Sequence, residues 1–308
     1  FEETLEERSR VGQWLRPRLQ QPLTRFLGLG NEQVYRGREG WLFYRPAVDH
    51  LTGPGFLDEG QLARRAAAGN EWRAAPQPDP LPAILEFRQQ LAERGIELLI
   101  VPVPVKATVH PEMLSRRYDA SAESVHNTSH ADFLARLEAE DVRVFDPTAI
   151  LVEAAASTGT PQFLSTDTHW TPQAVDLVAK GLAAAVNDMV DLSNDDGVGY
   201  TNTESAADNV GDLAEMLELP TLFPAQIVHT GVVRGPDEKH WRATRSAEVL
   251  LLGDSFANVF HQQELGWGAN AGLAERLSYH LNRPVDMMSR NDDGAFSTRL
   301  LLLSLIHI

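Results

Sequence analysis

"EVLLLGDSFANVF", residues 248–260, decides the fold. The apolar run ending at Leu252 reads as a strand buried on both faces, the kind that lies in a parallel sheet covered by helices. It stops at Gly253-Asp254-Ser255, and a helix is expected to start there. In such sheets ligands gather at the carboxyl ends of the strands, which is where Ser255 falls. Ser255 then has two readings. Either Asp254 or Ser255 caps the helix, or the serine hydroxyl is held at the strand end for chemistry, with its own amide free to bind an oxyanion. Gly-Asp-Ser alone does not separate them.

Working outward, the same strand–helix alternation recurs. Leu81–Arg94 has helical periodicity and Gly95 stops it, after which "IELLIVPVP" (96–104) is a second buried strand. Ala131–Glu140 reads as a helix feeding the short strand "VRVFD" (142–146). Thr171 caps a helix with Pro172 in its first turn, running to about Met189. Right-handed crossovers between such units give an α/β fold with a doubly wound, mostly parallel sheet. Ahead of it, Gly37 and Gly40 frame a hairpin turn before the aromatic strand Trp41–Tyr44. Residues 1–30 carry Leu5, Val11, Trp14, Leu15, Leu19 and Leu23 at helical spacing and read as a leading amphipathic helix. Residues 31–308 then form the main domain. Residues 190–245, rich in Asp, Asn, Gly and Pro, read as a loop-rich insertion in it.

The chain has 308 residues, 43 Asp plus Glu against 27 Lys plus Arg, and a formal charge of -16, which repels nucleic-acid phosphates and anionic lipid alike. No nucleic-acid partner is expected. The absence of cysteine excludes disulfides, Cys-ligated zinc and a thiol nucleophile. The chain opens on Phe1 and ends inside the apolar run "LLLLSLIHI" (300–308), so a lost leader or anchor and a C-terminal truncation are both expected.

The chemistry gathers around "LSTDTHWTPQA", residues 164–174. Asp167 and His169 are two apart, so in an extended segment both face one way and the carboxylate can fix the imidazole tautomer. The plain alternative is a histidine packed beside Trp170 and an aspartate in a turn. A metal reading would add His110, His126 or His130, the last two at i, i+4 spacing, but no companion motif such as H-E-x-x-H is present, and no metal is expected.

Four segments taken together, "GREGWLFY" (37–44), "VPVPVKATVHPEML" (101–114), "STDTHWTPQA" (165–174) and "LLGDSFAN" (251–258), resemble the alginate O-acetyltransferase family. These are the SGNH-hydrolase-like proteins with an Asp-His-His-Trp signature. The resemblance implies an α/β/α sandwich, a periplasmic or exported location, and acetyl transfer to polysaccharide hydroxyls through a Ser-His-Asp triad. Carried over, Ser255 is the nucleophile, His169 the general base and then acid, and Asp167 its orienting residue. The middle histidine of the signature is Thr168 here. The partners implied are the polysaccharide and an acetyl donor delivered by a membrane protein, and no cofactor is implied.

Further candidates are Asn291 and Asn258 as oxyanion donors, Arg290 for an acidic sugar's carboxylate, and Lys106 and His110 lining the carboxyl-end crevice. An acetylesterase would use the same triad with water as acceptor. A catalytically silent polysaccharide-binding or assembly protein would instead expose tryptophans such as Trp41, Trp170, Trp241 and Trp267 along a groove.

Overall fold

The computed structural model describes residues 10–69, 77–119, 124–192 and 197–291. The elements in chain order are α1 (Arg10–Leu27), β1 (Val34–Arg36), β2 (Leu42–Tyr44), α2 (Arg45–Thr52), α3 (Glu59–Ala66), α4 (Pro80–Ala92), β3 (Leu99–Ile100), α5 (Lys106–Val109), α6 (Pro111–Leu114) and α7 (His130–Ala139). There follow β4 (Arg143–Val144), α8 (Thr148–Thr158), α9 (Pro172–Met189), β5 (Thr201–Asn209), α10 (Asp212–Met216), β6 (Gln226–Arg234), β7 (Leu250–Gly253), α11 (Ser255–Asn258), α12 (Leu273–Leu281) and β8 (Asp286–Ser289).

The class is α/β. The strands form four two-stranded sheets: β3 with β4 and β7 with β8 are parallel, β1 with β2 and β5 with β6 antiparallel. The run at 96–104 contributes only Leu99–Ile100 to a ladder, because its two prolines remove backbone donors. The truncation expected at the C-terminus and the run 300–308 lie outside the described residues.

Helix α9 carries the pattern its sequence announces. Thr171 accepts the Ala174 amide at 3.3 Å, Pro172 sits in the first turn, and Val175, Val178, Ala179, Leu182, Ala183 and Val186 form one buried stripe. Each buried Val or Leu contributes about 1.5–3 kcal/mol, so packing outweighs helix propensity in fixing this element. Leu182 and Val186 pack with Leu277 and Leu281 of α12, against Leu99, Leu251 and Met287 from both parallel pairs. The other half of the core holds Phe43, Phe163, Trp170, Phe260 and Trp267. The two ends of the chain's chemistry, residues 163–170 and 257–267, therefore share one hydrophobic cluster.

Residues 190–245, expected to be loop-rich, hold regular elements as well as loops among the described residues. They contain the longest ladder of the structure, Thr201–Asn209 against Gln226–Arg234, and the short helix α10. Strand β5, "TNTESAADN", is exposed along nearly its whole length and so lacks the apolar alternation that marks a half-buried strand. Along α1, Trp14, Leu19 and Phe26 are exposed, while the buried Thr24 hydroxyl donates to the Leu29 carbonyl at 2.9 Å. No helix among the described residues is long and apolar enough to cross a membrane.

Candidate active site

The segment holding Asp167 and His169 is a turn, not an extended strand. Asp167 Oδ1 accepts the backbone N–H of His169 at 2.9 Å, the i to i+2 bond of an Asx-turn, and the same oxygen lies 2.7 Å from His169 Nδ1. The carboxylate thus reaches the imidazole because the backbone curls around it. Just outside the turn, Phe163 and Trp170 bridge as antiparallel partners, and both rings are fully buried.

The second oxygen of Asp167 is equally engaged. Oδ2 accepts the indole N–H of Trp267 at 2.8 Å and the backbone N–H of Asp212 at 3.0 Å. Four donors therefore converge on one carboxylate that is 2% exposed. Burial opposes its ionisation, but the hydrogen bonds and charge of His169 outweigh that and hold it at about 2. With Nδ1–H donating to Asp167, the lone pair of His169 resides on Nε2. That atom is buried and has no hydrogen-bond partner among the described residues.

Asp212, at the start of α10, lies beside the pair. It accepts the Thr168 amide at 2.7 Å, and its Oδ2 is 3.9 Å from His169 Nδ1. Its approach depends on Gly211, which has φ of 89°; a Cβ there would lie 2.4 Å from the Thr166 carbonyl oxygen. Burial, and then the charge of Asp167, raise the pKa of Asp212. Burial pulls His169 down, while the bond to Asp167 and the charges of Asp167, Asp212 and Asp254 pull it further up, so the net shift is upward. Asp167, His169 and Asp212 lie close enough to share a cation, their ligand atoms being within 4.8 Å. The four donors on Asp167, one of them the Nδ1 proton, occupy the lone pairs that an ion would need.

Ser255 stands half-buried at the junction of β7 and α11. The cap of this short helix is Asp254, whose Oδ1 accepts the Phe256 amide at 2.9 Å, so capping does not occupy the serine hydroxyl. The residue after Ser255 touches both halves of the other segment. The Phe256 ring centre is 4.9 Å from that of His169, and its carbonyl accepts the Trp170 indole N–H at 3.0 Å. The carboxyl ends of β7 and β8 and the turn at 165–170 therefore meet at one place.

The family described as SGNH hydrolase-like domain, acetyltransferase AlgX, matches residues 34–304. The chain belongs to this family. Among relatives, the probable alginate O-acetylase AlgJ of Pseudomonas fluorescens is 30% identical over 282 residues, covering 86% of this chain and 61% of that protein. Its counterpart in Pseudomonas aeruginosa is 27% identical over 275 residues, 82% of this chain and 61% of that protein. The chain thus spans about three fifths of the length of these relatives. Among solved structures, the O-acetyltransferase domain of Pseudomonas putida AlgJ superposes with a TM-score of 0.65 at 25% identity, covering 88% of this chain and 84% of that one. Pseudomonas aeruginosa AlgX gives 0.58 at 16% identity over 87% of this chain and 56% of that one, a likeness of fold.

The remaining candidates in this AlgX-family domain divide by position. Asn258 is fully buried; its side chain donates to Asn291 at 2.7 Å and accepts the Ser289 hydroxyl at 2.8 Å. Asn291 in turn donates to Gln262 at 2.9 Å. Arg290 is exposed, and its amide donates to the Gly253 carbonyl, two residues before Ser255. These three accordingly gather at the carboxyl ends of β7 and β8.

Lys106 and His110 do not. Lys106 is 5% exposed, with its amine 2.7 Å from the Leu42 carbonyl and 3.3 Å from that of Ser165, behind the Asp167 turn. Burial lowers its pKa to about 7 against the pull of Asp167 and Asp212. His110 is buried against Trp41, with Nδ1 on Glu112 at 3.1 Å and Nε2 accepting the Gln162 amide at 2.9 Å. Both make buried contacts to the backbone, Lys106 to the Leu42 and Ser165 carbonyls and His110 to the Gln162 amide. His126 and His130 stack at 4.2 Å but bind Ser124 and Asp146 respectively. Sequence reasoning missed Asp212 and assigned Trp267 no role at Asp167. The Gly211-Asp212 helix start was the available signal for the first.

Proposed function

We propose that this chain is an O-acetyltransferase that moves an acetyl group onto the hydroxyls of an exported, alginate-like polysaccharide through an acyl-enzyme on Ser255. The observation that carries this reading is the buried Asp167–His169 pair with His169 Nε2 unpartnered, packed against the ring that follows Ser255. The Asp167 bond fixes the tautomer, so Nε2 takes the Ser255 proton as Oγ attacks the acetyl carbonyl. His169 returns that proton to the donor's leaving group. In the second half, a sugar hydroxyl attacks acetyl-Ser255, gives its proton to Nε2, and leaves as the acetyl ester while Oγ recovers the proton. Catalytic hydrogen bonds are commonly long before substrate binds, which fits an Nε2 still without a partner.

The Ser255 amide and Asn291 are the proposed donors to the tetrahedral oxyanion. One proton of the Asn291 amide goes to Gln262, and the other has no partner among the described residues, whereas Asn258 acts behind it as a brace. Arg290, exposed at the same strand ends, is the proposed contact for an acidic sugar. We read the two parallel pairs as parts of one doubly wound sheet in an α/β/α sandwich, since both pack on α9 and α12. The domain begins near residue 31 and residues 1–30 lead into it. An acetyl donor supplied by a membrane partner and an exported, periplasmic setting complete this reading, since the polysaccharide acceptor is itself exported. The silent-binder reading is disfavoured by Trp41, Trp170, Trp241 and Trp267, all under 7% exposed.

The test is incubation with an acetyl-ester reporter, with and without oligosaccharide acceptors. The chain is expected to gain one acetyl group at Ser255, the Ser255→Ala variant none, and acceptors to speed turnover and become acetylated. Equal labelling of both chains would remove Ser255 from the reaction. Turnover indifferent to every acceptor would favour the esterase.

A further inference from the structure

Between Lys239 and Arg245, "KHWRATR", the sequence of this acidic chain holds three cations and a histidine with no acid among them. In the fold Lys239–Arg242 line a cleft of about 220 Å³ together with Val198, Tyr200 and Gly235–Asp237. Tyr200 is half-buried. Trp241 is 4% exposed and donates its indole N–H inward to the Ser278 hydroxyl at 2.7 Å, so what it offers the cleft is apolar ring. Lys239 is paired with Asp237 at 2.8 Å and is largely neutralised. Arg242 and His240 are exposed and make no side-chain hydrogen bond or ion pair among the described residues, and the same holds for Arg245 beyond them.

We propose that this cleft is an accessory glycan subsite that takes a carboxylate-bearing sugar ring of the acceptor chain. This rests on the acetyltransferase reading above and adds a second place, away from Arg290, where its acidic acceptor is held. Drug-sized ligands fill roughly 300–1,000 Å³, so a cleft of this size suits one ring of a polymer that continues past it. The half-buried Tyr200 supplies the aromatic surface for the C–H face of a pyranose, and the guanidinium of Arg242 presents the fork that binds a carboxylate with two parallel hydrogen bonds. Against a net charge of -16, a local basic surface acts within a Debye length of about 8 Å. It therefore draws in an anionic chain that the rest of the surface repels. Beneath the cleft, the Trp241 ring packs edge-on at 6.2 Å against His261, next to the Gln262 that holds Asn291.

The test is titration of the full chain with an oligo-uronic acid of defined length and, separately, with a neutral oligosaccharide of the same length. Arg242→Ala/Arg245→Ala is expected to weaken oligouronate binding at least about tenfold, the loss of one charge-assisted contact. Ester labelling of Ser255 should stay unchanged, and the neutral sugar should bind neither chain. The proposal is overturned if the double variant binds oligouronate as tightly as the natural chain. It also falls if the neutral sugar binds equally well, or if anionic lipid vesicles or single-stranded DNA compete on equal terms. Failure of Ser255 labelling in the natural chain is a separate result that strikes the acetyltransferase reading and leaves the affinity comparison interpretable.

Discussion

Trp267 and Asp167 stand one hundred positions apart and meet through an indole N–H···Oδ2 bond of 2.8 Å. Trp267→Phe keeps the apolar ring and deletes that donor. The proposed base is then held by a carboxylate with three donors instead of four, and activity on the ester reporter is expected to fall roughly tenfold to a hundredfold with KM nearly constant. A structural readout accompanies it. The Asp167 pKa lies near 2 in the fold, below the usual 3.8, so its stabilisation is complete above that usual value and is lost as pH falls through about 2. In Trp267→Phe the acid-dependent loss should be smaller and should end at a higher pH in melts recorded from pH 5 downward. Unchanged acid stability and unchanged kcat would dismiss the indole as a positioning group.

The pH–rate profile tests the electrostatics of the histidine. As a general base His169 must be neutral, and Asp167, Asp212 and Asp254 together raise its pKa, so kcat/KM should climb with a midpoint above the usual 6.5. Asp212→Asn retains an oxygen for the Thr168 amide and removes one of the carboxylates. Its midpoint should move to lower pH. A midpoint that stays put, or moves upward, would contradict the assignment of Asp212 as a charge acting on His169.

The sequence carried the local parts of this arrangement and missed the distant ones for physical reasons. Helix α9 is legible because its cap, its proline and its apolar stripe all lie within one stretch. The serine junction at 253–255 and the Asp-x-His spacing are equally local, although the segment at 165–169 is an Asx-turn and not the extended piece that the spacing suggested. Asp212 was hidden because its neighbour β5 is polar on both faces, so nothing marked 190–245 as structured. Trp267 was hidden because a ring's hydrogen-bond partner one hundred residues away leaves no periodic trace. The burial of Lys106 left no local trace, because a lysine after a strand is ordinarily solvated, whereas here its amine meets two carbonyls, those of Leu42 and Ser165.

That lysine yields a stability prediction. Its folded pKa of about 7 lies below the ordinary 10.5, so between those values the unfolded chain binds more protons, and stability should rise with pH across the window. Lys106→Met removes the slope and takes the amine donor from the Leu42 carbonyl, at about 1–3 kcal/mol, while the Ser165 carbonyl keeps the Leu42 amide at 2.8 Å. Urea midpoints measured from pH 7 to 10 for both chains provide the comparison. Parallel curves would show that the amine stays charged in the fold.

Glu275 provides the last case, because its carboxylate is fully buried with one partner, His261 Nδ1 at 2.5 Å, and its Oε2 has none among the described residues. A buried ion pair of this kind stabilises little in total, but breaking it from one side strands a charge. His261→Ala should therefore cost about 3–5 kcal/mol, while Glu275→Met, which removes the charge and fills the space, should be neutral or stabilising. The bond to Glu275 raises the pKa of His261. Its share of stability is thus complete below the ordinary 6.5 and disappears as pH rises through the higher folded value, a slope that Glu275→Met should lack. Thermal melts of the three chains at pH 6 and pH 8 separate these outcomes. A Glu275→Met chain less stable than His261→Ala would mean that the carboxylate itself, through its unpartnered oxygen, is what the fold requires.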